Sequence, residues 1–121
     1  MKRTTKRHFD LFRQTCATCI EDWGIVGWQV TYRHAKLPGA QATCTTRQQH
    51  RIACLSLTTH WEDAEGKDVL TDNRVRQSAR HEATHLLIAT MVNIISSRYV
   101  TEDECVHAEE ALVRHLQELL P

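Results

Sequence analysis

The 121-residue chain has no excess of charge of either sign: Lys plus Arg number 15 and Asp plus Glu number 15. An electrostatic grip on nucleic acid or on an anionic membrane needs such an excess, so neither is an expected partner. Long apolar runs are missing too. The longest nearly apolar stretch, Leu86 to Ile95, is interrupted by Thr90 and Asn93 and is too short to span a bilayer. The basic segment Met1 to Phe12 contains no continuous apolar core of the kind a signal peptide carries. No second Cys-x-x-Cys accompanies Cys16 and Cys19, so a zinc ribbon is not expected. That pair also falls within a helical pattern, not at the strand-to-helix junction of a thioredoxin-like site. The five cysteines are an odd number and cannot all pair within the chain. These absences point to a cytoplasmic protein with reduced thiols that serve mainly in packing. Nothing reads as a linker, repeat or low-complexity tract, so residues 1–121 are expected to form a single domain.

What the chain does have is clear periodicity. Phe9, Phe12, Cys16, Cys19, Ile20 and Trp23 recur at spacings of three and four, which predicts an amphipathic helix over Lys6 to Trp23. Trp28, Val30 and Tyr32 then alternate with polar residues as in a strand. A turn at Leu37-Pro38-Gly39 leads to a weaker strand over Ala42 to Arg47 and a better one over Arg51 to Leu57. His60 to Asp68 is polar and reads as a loop. A long helix follows from Thr71 or Asp72 to about Asn93. The last helix opens with Thr101-Glu102-Asp103-Glu104, a capping box. The expected architecture is α+β: a helix, a small sheet of about three strands, and two C-terminal helices that cover it.

The chain is also rich in histidine, with 8. Two of them lie in His81-Glu82-Ala83-Thr84-His85, an HExxH motif inside the first of those two helices. Residues four apart on a helix lie about 40° apart around its axis, so His81 and His85 project from one face. Two imidazoles so placed can hold one Zn²⁺. Glu82 sits one residue round, beside the metal, where it can take a proton from activated water as general base. The flanking Leu86, Leu87, Ile88 and Ala89 bury this helix on most sides, and buried histidines need partners.

A catalytic zinc wants a third protein ligand. Gly and His at positions 88 and 91 would extend the motif, but Ile88 and Met91 stand there, which excludes the metzincin pattern. The last helix offers the remaining candidates. With Glu109 placed at zero and about 100° per residue, Leu112, Val113, Leu116 and Leu120 fall within about 60° of it. A carboxylate central in an apolar stripe needs compensation, so Glu109 ranks first. Glu110, at the stripe's edge with Gln117, ranks second.

On these features the chain resembles a minimal zincin, like the small HExxH metallopeptidase-like proteins of phages and prophages, with SprT-like peptidases more distant. The likeness rests on Trp28-Gln29-Val30-Thr31-Tyr32, on His81-Glu82-Ala83-Thr84-His85 with Leu86-Leu87, and on the Glu109-Glu110-x-x-Val113-x-x-Leu116 close. It implies a gluzincin-type zinc hydrolase with a carboxylate third ligand, acting on a polypeptide in extended form in the cytoplasm of a bacterial host cell. The thermolysin pattern puts Asp four residues after the ligand Glu; Val113 occupies that position here. The resemblance further implies a substrate-binding edge strand, for which Arg51 to Leu57 is the candidate. An oxyanion stabiliser is also needed. Tyr99, His60, His107 and His115 could serve and spacing does not choose among them; Tyr99, in the loop between the two helices, is taken, with plain packing as its alternative role. The alternative is a zinc-stabilised protein-interaction module without catalysis.

Overall fold

The computed structural model describes residues 2–62, 69–96 and 101–119. Its elements in chain order are β1 (Lys2–Arg3), α1 (Lys6–Asp22), β2 (Gln29–Ala35), β3 (Ala42–Arg47), a 3₁₀ turn (Gln48–His50), β4 (Ile52–Thr58), β5 (His60–Trp61), α2 (Asp72–Ser96) and α3 (Glu102–Leu119). The fold is thus mixed α+β, with three helices and a small three-stranded sheet among the described residues. None of these helices is long and apolar enough to cross a membrane.

Local chemistry sets the helix ends. The Thr5 hydroxyl accepts from the His8 N–H (3.3 Å), while His8 Nδ1 accepts from the Thr5 N–H (3.0 Å). This is a reciprocal capping box with histidine in the usual place of Glu. α1 stops at Gly24, whose φ of +66° suits a residue without a Cβ. Gly24 N–H reaches Glu21 O and Ile25 N–H reaches Ile20 O, the paired bonds of a Schellman motif. Thr71 caps α2 through the Arg74 N–H (3.1 Å), and Thr101 caps α3 through the Glu104 N–H (3.2 Å).

The sheet order is β2-β4-β3, with β4 parallel to β2 and antiparallel to β3. The segment expected at the sheet edge therefore forms the central strand instead. Its apolar content explains this: Ala53, Leu55 and Leu57 are fully buried, as suits a strand covered on its faces and paired on both sides. The edge beside α2 is the weaker strand β3, which carries Thr43, Thr45 and Thr46. The chain passes from β2 to β3 across the end of β4. There Leu37 N–H donates to Thr58 Oγ1 (3.3 Å) and Thr58 N–H to Gln41 O (2.8 Å), which fixes Gln41 at the start of the edge strand.

The start of the segment read as a loop, His60–Trp61, instead pairs antiparallel with β1. Trp61 is fully buried, and burial of so large an aromatic ties the N-terminal residues to the core. Thr4 adds to this tie. Its hydroxyl donates to Thr58 O (2.6 Å) and so accepts from His34 Nε2 (2.6 Å). His34 stacks on Phe9 at 5.0 Å and is a half-buried structural residue, not a solvated loop histidine. Phe12, Cys16, Leu55, Leu57, Trp61, Val75 and Ala79 form the core cluster between α1, α2 and the sheet. Cys16, Cys19, Cys44 and Cys54 are free thiols. Burial pushes Cys44 up to about 12 and Cys16 higher still, so both behave as packing residues.

Candidate metal centre

α2 carries the motif with its small members turned inward. Ala83 and Thr84 are fully buried, and the Thr84 hydroxyl is satisfied by donating to Arg80 O (2.6 Å). His81 and His85 face α3, with side chains 25% and 16% exposed. Their Nε2 atoms lie 3.3 Å apart.

Each ring is set from behind. His81 Nδ1 lies 2.7 Å from Gln117 Oε1, and His85 Nδ1 lies 2.9 Å from Glu109 Oε1. Amide and carboxylate oxygens only accept, so both Nδ1 atoms carry hydrogen. In the neutral rings both Nε2 atoms are then bare lone pairs, and they converge on a third acceptor. Glu110 Oε1 is 2.8 Å from His85 Nε2, and Glu110 Oε2 is 3.6 Å from His81 Nε2. Three acceptors in contact repel one another unless a cation lies among them. One proton can bridge two of the atoms; a metal ion serves all three.

One of the three spacings suits a tetrahedral metal such as zinc; the 2.8 Å from His85 Nε2 to Glu110 Oε1 is a hydrogen-bond length. Nitrogens each about 2.1 Å from a tetrahedral zinc are about 3.4 Å apart, and the observed Nε2 separation is 3.3 Å. Among the described residues, His81, His85 and Glu110 are the group able to place ligand atoms within 4.8 Å of one another. No family model, curated protein or solved structure matches the chain. The chemistry of the site therefore rests on its own geometry.

That geometry divides the two adjacent glutamates. Glu109, expected as third ligand, sits on the far nitrogen of the His85 ring, and Glu110 takes the position facing both Nε2 atoms. Both carboxylates touch His85, one on each side of the ring. Glu82 is 6% exposed. Burial pushes its carboxyl up to about 7; His85 pulls it down, and Glu110 and Glu109 push it further up. A carboxyl balanced near neutrality can both take and return a proton. Tyr99 lies outside the described residues. His60 lines a cavity beside His81, whereas His107 is exposed.

Two cavities flank His81. The smaller, about 270 Å³, includes Gln41, Ala42, Ser78 and Glu82. The larger, about 580 Å³, includes Gln41, His60, Glu110 and Arg114. Gln41 and His81 line both, so both cavities meet the motif near the start of β3. Sequence reasoning passed over Gln117 as a partner of His81. Its signal was the spacing of seven from Glu110, two helical turns that return to nearly the same face.

Proposed function

We propose that this protein is a zinc-dependent hydrolase of peptide bonds, a minimal zincin-like domain in which His81, His85 and Glu110 hold the metal. The observation that carries the reading is the convergence of three acceptor atoms whose ring partners, Glu109 and Gln117, hold both histidines in the ligating tautomer. Such outer partners orient ligands and raise their basicity. When bound, zinc supplies Lewis acidity and lowers the pKa of water. Glu82 holds and moves the proton, from a buried position beside the ligands. The open edge of β3 receives a substrate main chain in extended form by strand addition, with Gln41 and Ala42 at its start. Zero net charge fits a polypeptide better than a nucleic acid. The free thiols fit a reducing compartment such as the bacterial cytoplasm.

Three protein ligands among the described residues, with cavities lined by His81, favour catalysis over a purely structural zinc, which takes four. Elemental analysis of the purified protein should find one zinc per chain. Glu82→Gln should keep that zinc and lose at least about 100-fold in peptide hydrolysis. Undiminished hydrolysis by Glu82→Gln sinks the mechanism. Stoichiometric zinc with no turnover on any peptide library would make the domain an interaction module instead.

A further inference from the structure

The two cavities differ in the charge they offer. In the smaller one the permanent cation is Arg74, and its guanidinium already donates to Gln77 Oε1 at 3.3 Å. In the larger one it is Arg114. No hydrogen bond or ion pair among the described residues engages the Arg114 guanidinium, and the residue is exposed. The other titratable groups there are His60, Glu62, His81 and Glu110. His81 and Glu110 face each other across the metal position, and no ion pair joins Glu62 to Arg114.

Arg114 stands four residues beyond Glu110 on α3. One turn of helix puts it on the same face, about 6 Å along the axis. An extended chain advances about 3.3 Å per residue, so that distance is one to two substrate residues from the metal position. Leu37, Gly39 and Ala40, which are apolar or lack a side chain, also line this cavity. A planar guanidinium with no partner among the described residues is suited to take a carboxylate through two parallel hydrogen bonds.

We infer that the larger cavity is a carboxylate-binding subsite built on Arg114, and that the ligands it selects are peptides with an acidic group one or two residues from the bond presented at His81 and Glu110. The inference rests on the peptidase reading for the orientation of the chain. The carboxylate is either an Asp or Glu side chain or a free C-terminus, and the two sources are separable.

The test measures binding and needs no turnover. Zinc-loaded Glu82→Gln protein is titrated with matched hexapeptides carrying Glu or Gln at each position, each made with a free or an amidated C-terminus. A carboxylate at one position should bind at least about tenfold more tightly than its amide, as expected of a charge-assisted pair. Arg114→Gln should erase that difference, Arg114→Lys should keep part of it, and Arg114→Glu should reverse it in favour of Gln. Gain from Glu assigns a side-chain subsite; gain from the free C-terminus alone assigns a terminal one. A Glu-to-Gln or acid-to-amide ratio below twofold overturns the inference. So does a preference that survives Arg114→Gln, because the carboxylate is then held by the metal or elsewhere. A protein that binds acidic peptides through Arg114 but cleaves none when Glu82 is restored overturns the peptidase reading and leaves the subsite standing.

Discussion

α2 is held on two sides by different chemistry. Toward α1 and the sheet it presents Val75 and Ala79, which pack with Phe12, Cys16, Leu55 and Leu57 in a dry cluster. Toward α3 it presents Arg80, His81 and His85, which meet Gln117, Glu109 and Glu110. Val113 is the fully buried apolar residue that α3 contributes among those described. The first interface is held together by removal of apolar surface from water and needs nothing further. The second gathers ring nitrogens and carboxylates whose contacts depend on a proton or a metal ion among them. One helix is thereby a core element on one side and the carrier of a polar cluster on the other.

Cutting into the dry side should have the largest effect. Phe12→Ala should cost about 3–5 kcal/mol, read from urea unfolding, and by the same amount with zinc or with chelator. A cost that depends on zinc would mean the two sides are coupled. Metal removal comes next. Zinc at a thousandfold excess over its Kd adds about 4 kcal/mol to stability. Chelation should withdraw that from α3 first: hydrogen exchange should speed up over residues 109–117 while Leu55 and Leu57 amides stay protected. Uniform loss across both regions would erase the distinction.

A smaller effect lies in the pH dependence of the metal-free protein. The Glu82 carboxyl has its folded value raised from 4.5 to about 7 by burial. The folded state therefore binds this proton more tightly than the unfolded state. The stabilisation is fully present below about pH 4.5 and is lost as pH rises toward 7, by up to about 3 kcal/mol. Glu82→Gln has no such proton, so wild type should lose stability relative to it over that window. A flat difference between pH 4.5 and 7 would contradict the burial of Glu82. The smallest effects concern the outer partners. Glu109→Gln should weaken zinc binding about 10- to 100-fold, measured by competition with a chelating dye. Gln117→Ala should fall at or below the low end, because a neutral amide raises ring basicity less than a carboxylate does. If Glu110→Gln weakens zinc less than Glu109→Gln, the roles of the two are reversed.

The part of the site legible in the sequence is the part that helical geometry fixes. His81 and His85 meet because a helix returns them to one face, whatever surrounds it. The third carboxylate was not legible in the same way. A helical wheel ranks residues by burial, and the more buried of the pair, Glu109, serves the rear of a ring. The carboxylate that faces both Nε2 atoms borders open space: the Glu110 side chain is 34% exposed against 21% for Glu109. The sheet follows the same logic. Arg51 to Leu57 is a better strand pattern than Ala42 to Arg47 because the strand is central; the edge that borders the site is the threonine-rich Ala42–Arg47, whose weak apolar signal is what an edge strand shows. Pairing of Lys2–Arg3 with His60–Trp61 joins residues nearly sixty apart, and two-residue strands carry no period to read.

Arg80, one residue before the motif, touches three elements at once. Its guanidinium lies 5.6 Å from the centre of the Trp23 ring at the end of α1, and it donates to Gln117 O on α3 at 3.4 Å. Gln117 in turn orients His81. One side chain thus ties the end of α1 to α3 through the same glutamine that meets the His81 ring, so a change at Arg80 reaches both the docking of α3 and the setting of that histidine.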